Sequence, residues 1–425
     1  MENGRISQSK NHAFTVFILL FLITIGKYSI YIGFSFKPYM IFLLLFIFIH
    51  LAAFRFVRLQ FFEILMLVFY LMYSFSGAFA LYSTSSLRIL IGIIIYLSCY
   101  FIIKSILSYS TQSIIEKGIS YAGILFNGLS IVLYLIGLQA LNFQFDLGER
   151  VIAFGVMVDR SYPRLIGLVE DPNFYVFYNT IFFAYYLCNS KSSLNKLGLF
   201  LCIITSILTF SRGGLLVIGI LFFLYFIMSN IGKQLKMLMI SVSLSLVAIY
   251  ISLLFSQLNV IEMLDSRFGD FSNDGGSGRF ELWGRAIDFF STNILVGIGA
   301  FNFSDYNDFY YGDNLSVHNT FFDILSESGV LGFFFYMLFI LFVFIQLIQN
   351  NVHRKKPYLF FTYIGYVLQL LSLSVIINDM FFMYLAILSI YIKEVNDKKG
   401  SSEKNKRVIS MREFNYGNKE MKRLG

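Results

Sequence analysis

The chain reads as an all-α polytopic membrane protein of about twelve transmembrane helices, and three observations carry that reading. Of 425 residues, 57% are hydrophobic, 19% aromatic and only 14% charged, whereas a soluble domain carries about a quarter charged residues. The mean hydropathy is +0.71. The apolar residues also fall in long blocks, such as 13–25, 39–53 and 215–228. In lipid, every backbone N–H and C=O must pair within its own helix or within a closed barrel. A barrel alternates apolar and polar positions, and these blocks do not.

A span needs roughly 20 apolar residues. Twelve segments are read as spans: 13–34, 38–57, 61–82, 87–108, 118–139, 165–188, 196–210, 213–230, 236–257, 329–350, 357–376 and 378–393. No small-residue cleavage site follows the first, so it is read as a span, not as a removable signal peptide. Asn378 and Asp379 supply a tight turn between the last two.

Charge then orients the chain. With residues 1–12 in the cytoplasm, the inner connections carry Arg55 and Arg58, Lys117, Lys191 and Lys196, Lys233 and Lys236, and Arg354-Lys355-Lys356. That is the positive-inside pattern, with both termini inside. It accounts for much of the net charge of +8 without nucleic-acid binding. The expected organisation is a cytoplasmic N-terminus (1–12), helices one to nine (13–257), a large external loop between helices nine and ten (258–328), helices ten to twelve (329–393) and a basic cytoplasmic tail (394–425). Cys99, Cys188 and Cys202 all fall within spans, as small apolar packing residues do.

Two external segments exceed a turn. One runs from 140 to 164. The other, from 259 to about 325, holds the sole tryptophan, Trp283, and the patch Gly275-Gly276-Ser277-Gly278. A loop this long is usually functional or disordered; its apolar run 294–303 points to a folded, functional subdomain.

Four polar features stand where the bilayer penalises them. Arg212 lies between two apolar helices in Leu208-Thr-Phe-Ser-Arg-Gly-Gly-Leu215. It is read either as an arginine reaching lipid phosphates or as a functional charge. Arg279 and Arg285 lie in the external loop. Arginine binds phosphate through paired hydrogen bonds and stays charged. The alternative is local ion pairing with Glu281 and Asp288, of which Glu281 is one helical turn from Arg285. His318-Asn319 is followed by Gly329-Val-Leu-Gly332, with Asp323 and Glu327 at helical spacing. Histidine accepts a proton near neutral pH and suits a general base. Finally, Glu170-Asp171-Pro172-Asn173 opens span six: Asp171 and Pro172 are explained as a helix start, and Glu170 is not. The topology, set by other charges, puts Glu170, Arg212, Arg279, Arg285 and His318 on one external face. Arginines to hold phosphate, with a carboxylate or histidine to take a proton, suit transfer from a lipid diphosphate. The sequence contains no metal constellation of the Asp-x-Asp or His-x-x-x-His kind.

The same residues resemble the O-antigen polymerase and ligase superfamily, which includes Wzy-type polymerases and WaaL-type ligases. Ser211-Arg212-Gly213, Ser277-Gly278-Arg279…Trp283 leading to Gly297-Ile-Gly299-Ala-Phe-Asn302, and His318-Asn319…Gly329-x-x-Gly332 are similar to its motifs in order and spacing. Glu170-Asp171-Pro172-Asn173 resembles its polymerase branch. The resemblance implies a GT-C-like glycosyltransferase of the bacterial cytoplasmic membrane with its active site facing outward. It implies an undecaprenyl-diphosphate-linked glycan as substrate, no cofactor and no metal. Arg212, Arg279 and, less clearly, Arg285 would bind the diphosphate. His318 would be the catalytic base, with Glu170 a second catalytic candidate. A chain-length regulator and a flippase of the same pathway are the expected partners, beside membrane lipid. A polymerase of O-antigen, capsule or exopolysaccharide repeat units is the leading expectation, and a ligase to an acceptor such as lipid A core the second. A non-enzymatic glycan transporter is the third. Against it stand the lack of an internal repeat and the scarcity of mid-membrane ionisable groups: Glu63 and His50 are candidates, but both lie toward the cytoplasmic side.

Overall fold

A computed structural model of the chain describes residues 2–31, 35–51, 54–146, 148–159, 162–239 and 278–398, with 2–11 as backbone only. Of the expected ninth span only 236–239 is described; the Gly275–Ser277 patch and residues 399–425 of the tail lie outside the described residues.

Of the described residues, 73% are helical and very few lie in sheet. Among the described residues, four helices are long and apolar enough to cross a membrane: Phe61–Phe79, Ser83–Ser108, Gln112–Ala140 and Thr320–Gln349. His12–Ile23, Pro38–His50, Ser193–Leu208 and Arg212–Ile227 are apolar but shorter. Pro172–Cys188, Pro357–Leu370 and residues 379–398 complete the buried bundle. Several expected spans are therefore shorter as helices than their apolar blocks. The second ends at His50. The sixth starts at Pro172, because residues 162–165 are instead a strand. Val151–Ala153, Val156–Asp159 and Tyr162–Leu165 form a three-stranded antiparallel sheet from the segment read as an external loop.

Charge inside the bundle is paired. Lys104 donates to both Glu63 oxygens at 2.7 Å, and Ser389 Oγ donates to Glu63 Oε2 at 3.0 Å. Asp379 pairs with Lys37 and accepts from Tyr39 Oη at 2.6 Å and Tyr178 Oη at 2.9 Å. A buried ion needs such partners, since an isolated one costs several kcal/mol. Asp379 is thus no turn residue facing water: it is 2% exposed and begins the last helix.

One interlock positions the residues read from sequence as external. The Thr320–Gln349 helix is broken at Gly329, whose φ of 62° and ψ of −165° lie outside the helical region. That pair of angles is accessible essentially only to glycine. The break frees the Ser326 and Glu327 carbonyls, which accept from Ile298 N (2.9 Å) and Gly299 N (3.0 Å). Beyond it, Val330 N and Leu331 N donate to the Ile294 and Leu295 carbonyls at 2.9 and 3.3 Å. The Gly-x-Gly and Gly-x-x-Gly elements are thus two halves of one joint, and the broken helix leaves these backbone groups satisfied, as a membrane segment requires.

Around this joint the described part of the large loop folds into Arg279–Thr292 and Phe303–Tyr311. Their core is Leu282, Ala286, Phe289, Ile298, Phe303 and Val317. Asn302 ties it to the turn before Ser83–Ser108: Asn302 Oδ1 accepts from Tyr82 N at 2.9 Å, and Nδ2 donates to Ser86 Oγ at 2.9 Å. The Thr320 helix begins inside the stretch read as loop, because Asn319 caps it by accepting from Phe321 N (3.0 Å) and Phe322 N (3.3 Å).

Candidate functional site

Four charged or titratable residues stand at helix N-termini. Asp171 caps Pro172–Cys188, Arg212 opens Arg212–Ile227, Arg279 opens Arg279–Thr292, and His318 immediately precedes Asn319, the cap of Thr320–Gln349. The N-terminal end of a helix carries partial positive charge and unpaired N–H groups, and attracts anions.

The first two ends are fastened together. Asp171 Oδ1 accepts from Asn173 N (2.7 Å) and Phe174 N (3.2 Å). Asn173 Oδ1 accepts from Ser211 Oγ at 2.7 Å, and Ser211 Oγ accepts from Gly214 N at 3.2 Å. Gly214 allows the approach: a Cβ there would lie 2.8 Å from Val176 of the neighbouring helix. Arg164, on the last strand of the sheet, donates from Nε to the Thr209 carbonyl (3.1 Å) and from Nη2 to Asn173 (3.4 Å). Arg212 is half-buried at the head of this assembly.

The loop residues meet it electrostatically. Arg279 is half-buried; burial lowers the pKa of its guanidinium, Asp171 supports the charge and Arg212 repels it. The His318 pKa is lowered from its ordinary value by burial and by Arg279, with Asp171 opposing. Asp171 and Arg212 therefore act on Arg279, and Arg279 and Asp171 on His318, although four separate parts of the chain supply them. His318 is held by backbone: its N–H donates to Ser374 Oγ at 3.0 Å, and Thr320 Oγ1 donates to the Leu373 carbonyl at 2.6 Å. Its φ of 55° is uncommon for a residue with a side chain, and such conformations persist where surrounding contacts enforce them.

The other expected residues are placed differently. Glu170 is exposed, and the charge acting on it across the fold is Lys27. Arg285 binds within its own subdomain: to Glu281, to Asn307 Oδ1 at 2.7 Å, to Asp313 Oδ2 at 3.3 Å, and over the Tyr311 ring at 4.1 Å. These contacts match the local pairing with Glu281 that the sequence offered as the alternative for Arg285. Asp323 and Glu327 are buried on the Thr320 helix. Sequence reasoning overlooked Asp171, having explained it as a cap. Its cap bonds go to Oδ1, and no signal in the sequence showed that Arg279 and His318 would stand near it. Among the described residues there is no group of three or more His, Cys, Asp or Glu that could hold a metal ion.

Chemically, the arrangement offers two guanidinium groups and several helix N-termini to an anion, beside an imidazole poised to accept a proton. A family model described as O-antigen ligase matches residues 197–337, a third of the chain that includes Arg212, Arg279, Arg285 and His318 and leaves Glu170 and Asp171 outside. No curated protein matches the chain. The family match supports the O-antigen polymerase and ligase superfamily that the motifs resemble, and the family and the apolar helices together point to a bacterial membrane protein.

Proposed function

We propose that this O-antigen ligase-like chain is a glycosyltransferase that joins undecaprenyl-diphosphate-linked oligosaccharide repeat units on the outer face of the cytoplasmic membrane. The observation that carries this reading is the mutual placement of Arg212, Arg279, His318 and Asp171 at four helix N-termini. Both the superfamily match and the apolar helices support it.

In this mechanism an acceptor hydroxyl attacks the donor's anomeric carbon. The new C–O bond forms as the bond to the diphosphate breaks, with inversion. The hydroxyl proton passes to His318, which must be neutral; burial and Arg279 favour that form. Negative charge grows on the departing diphosphate and meets Arg212, Arg279 and the helix ends. Pre-placed charge of this kind is worth roughly 2.7–4 kcal/mol per group. Asp171 supports Arg279 and steadies the imidazolium once formed. Glu170, the second candidate base, is tested separately.

The test is reconstitution of purified protein in liposomes with lipid-linked repeat units from the host locus, read as a gel ladder. Wild type should build a ladder from donor alone. Arg212→Ala and Arg279→Ala should each lose about 10²–10³-fold in rate, and His318→Ala about 10²–10⁴-fold. Glu170→Gln should stay near wild type. Equal ladders from all variants would refute the site, and no transfer under any condition would favour a transporter. The ligase description of the matching family favours a second reading, transfer to a different acceptor such as lipid A core. It would be indicated by transfer that occurs only when that acceptor is added.

A further inference from the structure

Beside the Thr320 helix lies a cavity of about 120 Å³ whose wall includes Asp323, Glu327, Ser304, Ser316, Ser374 and Phe301. Among the described residues no basic side chain lines it. Asp323 and Glu327 are each 3% exposed. The Glu327 oxygens are each engaged, one by Tyr73 Oη and the other by Phe303 N at 3.1 Å. Asp323 is hydrogen-bonded by Ser374 and by the Val317 backbone, but its Oδ2 is buried with no hydrogen-bond partner among the described residues. A buried carboxylate oxygen without a donor is costly, so an occupant of this cavity is expected to bring donors. A second, more apolar groove of about 270 Å³ shares Ile89, Phe301 and Ile377 with it, and Arg88, exposed near the start of the Ser83 helix, lines that groove.

We propose that the cavity receives the hydroxyl-rich sugar of the acceptor glycan, whose lipid phosphate meets Arg88 and whose polyprenyl chain follows the adjoining groove. The proposal rests on the transferase reading above. Sugar hydroxyls donate to Asp323 and Glu327 and exchange hydrogen bonds with the serines. Phe301, 46% exposed, offers an aromatic face to the ring. A free cation would satisfy the carboxylates but has no use for an apolar groove with an arginine. Ser374 links the two sites, because it lines the cavity and accepts the hydrogen bond from His318 N.

The chain carries its own reporter. Trp283, the sole tryptophan, has its ring 5.6 Å from that of Phe322, the residue before Asp323. The probe is the lipid-free oligosaccharide repeat unit cut from the host polymer, titrated into full-length protein in nanodiscs while tryptophan fluorescence is followed. A saturable change is expected in wild type and in Arg279→Gln, and binding at least tenfold weaker in Asp323→Asn. If Asp323→Asn fails to fold, the Ser304→Ala/Ser316→Ala double variant at the cavity mouth is expected to weaken binding several-fold. Wild-type affinity in the variant that is read, or a change produced by sodium in place of choline without sugar, would overturn the proposal. Transfer assays separate the two readings. Sugar binding without transfer by wild type would sink the transferase and leave the cavity standing. Transfer with an unchanged acceptor KM in the cavity variant would sink the cavity alone.

Discussion

At the residue scale, His318 carries the most direct prediction. Its folded pKa lies below the ordinary 6.5 because burial and Arg279 disfavour the imidazolium, with Asp171 opposing them. The imidazole is therefore neutral at neutral pH, and the base form is lost only as pH falls through a value below 6.5. Diethyl pyrocarbonate modifies only neutral imidazole, so the pH dependence of His318 modification, followed by mass spectrometry, reads this value without any substrate. Arg279→Gln removes one cause of lowering and should move the midpoint upward; Asp171→Asn removes the opposing charge and should move it downward. A midpoint unmoved by either would mean that these side chains do not share a site. Asp171 also shows what was legible in sequence and what was not. Its role as a helix cap follows from Asp-Pro in the chain, whereas its second role depends on Arg279, more than a hundred residues away.

At the scale of elements, the broken Thr320–Gln349 helix governs the site. Gly329 was legible as a spacing motif, but its reason lies in its partner. A Cβ on Gly329 would come within 2.4 Å of the Leu295 carbonyl carbon and oxygen, and one on Gly297 within 2.4 Å of the Ser326 carbonyl oxygen. Gly329→Ala should therefore cost at least about 1–3 kcal/mol from the backbone conformation alone, with the clash in addition. It should lower the thermal midpoint in detergent and reduce transfer, while Gly219→Ala, where no atom lies within 4 Å, should do neither. Equal midpoints for both variants would show that the joint is not under this constraint. The short helices have a related explanation. Apolar block length overstates helix length where the chain turns to a sheet or cap, as at 162–172.

For the whole molecule, side chains sort by solvent. Large apolar residues such as Phe48, Leu81 and Phe223 are 60–88% exposed, as expected of surfaces that face lipid rather than water. The basic connections support the proposed orientation, and fusion reporters test it. A fluorescent protein placed after Gly425 should fold and emit, and alkaline phosphatase inserted near residue 313 of the loop should be active. Phosphatase activity at the C-terminus, with none in the loop, would invert the proposed topology and put His318 on the wrong side for exported glycan.

The membrane class, the helical content and most elements were determined by composition and by apolar block structure, because lipid permits so few ways to satisfy a backbone. The order of Arg212, Arg279 and His318 along the chain was enough to suggest their chemistry. Only the tertiary structure decided which charges meet. It set Asp171 rather than Glu170 against the arginine and histidine, turned Arg285 into its own subdomain, and paired Glu63 with Lys104 and Lys37 with Asp379 across the bundle. The physical reason is range. Backbone satisfaction is local and is written in each segment, whereas the energy of a charge depends on neighbours that only folding brings within a few ångströms.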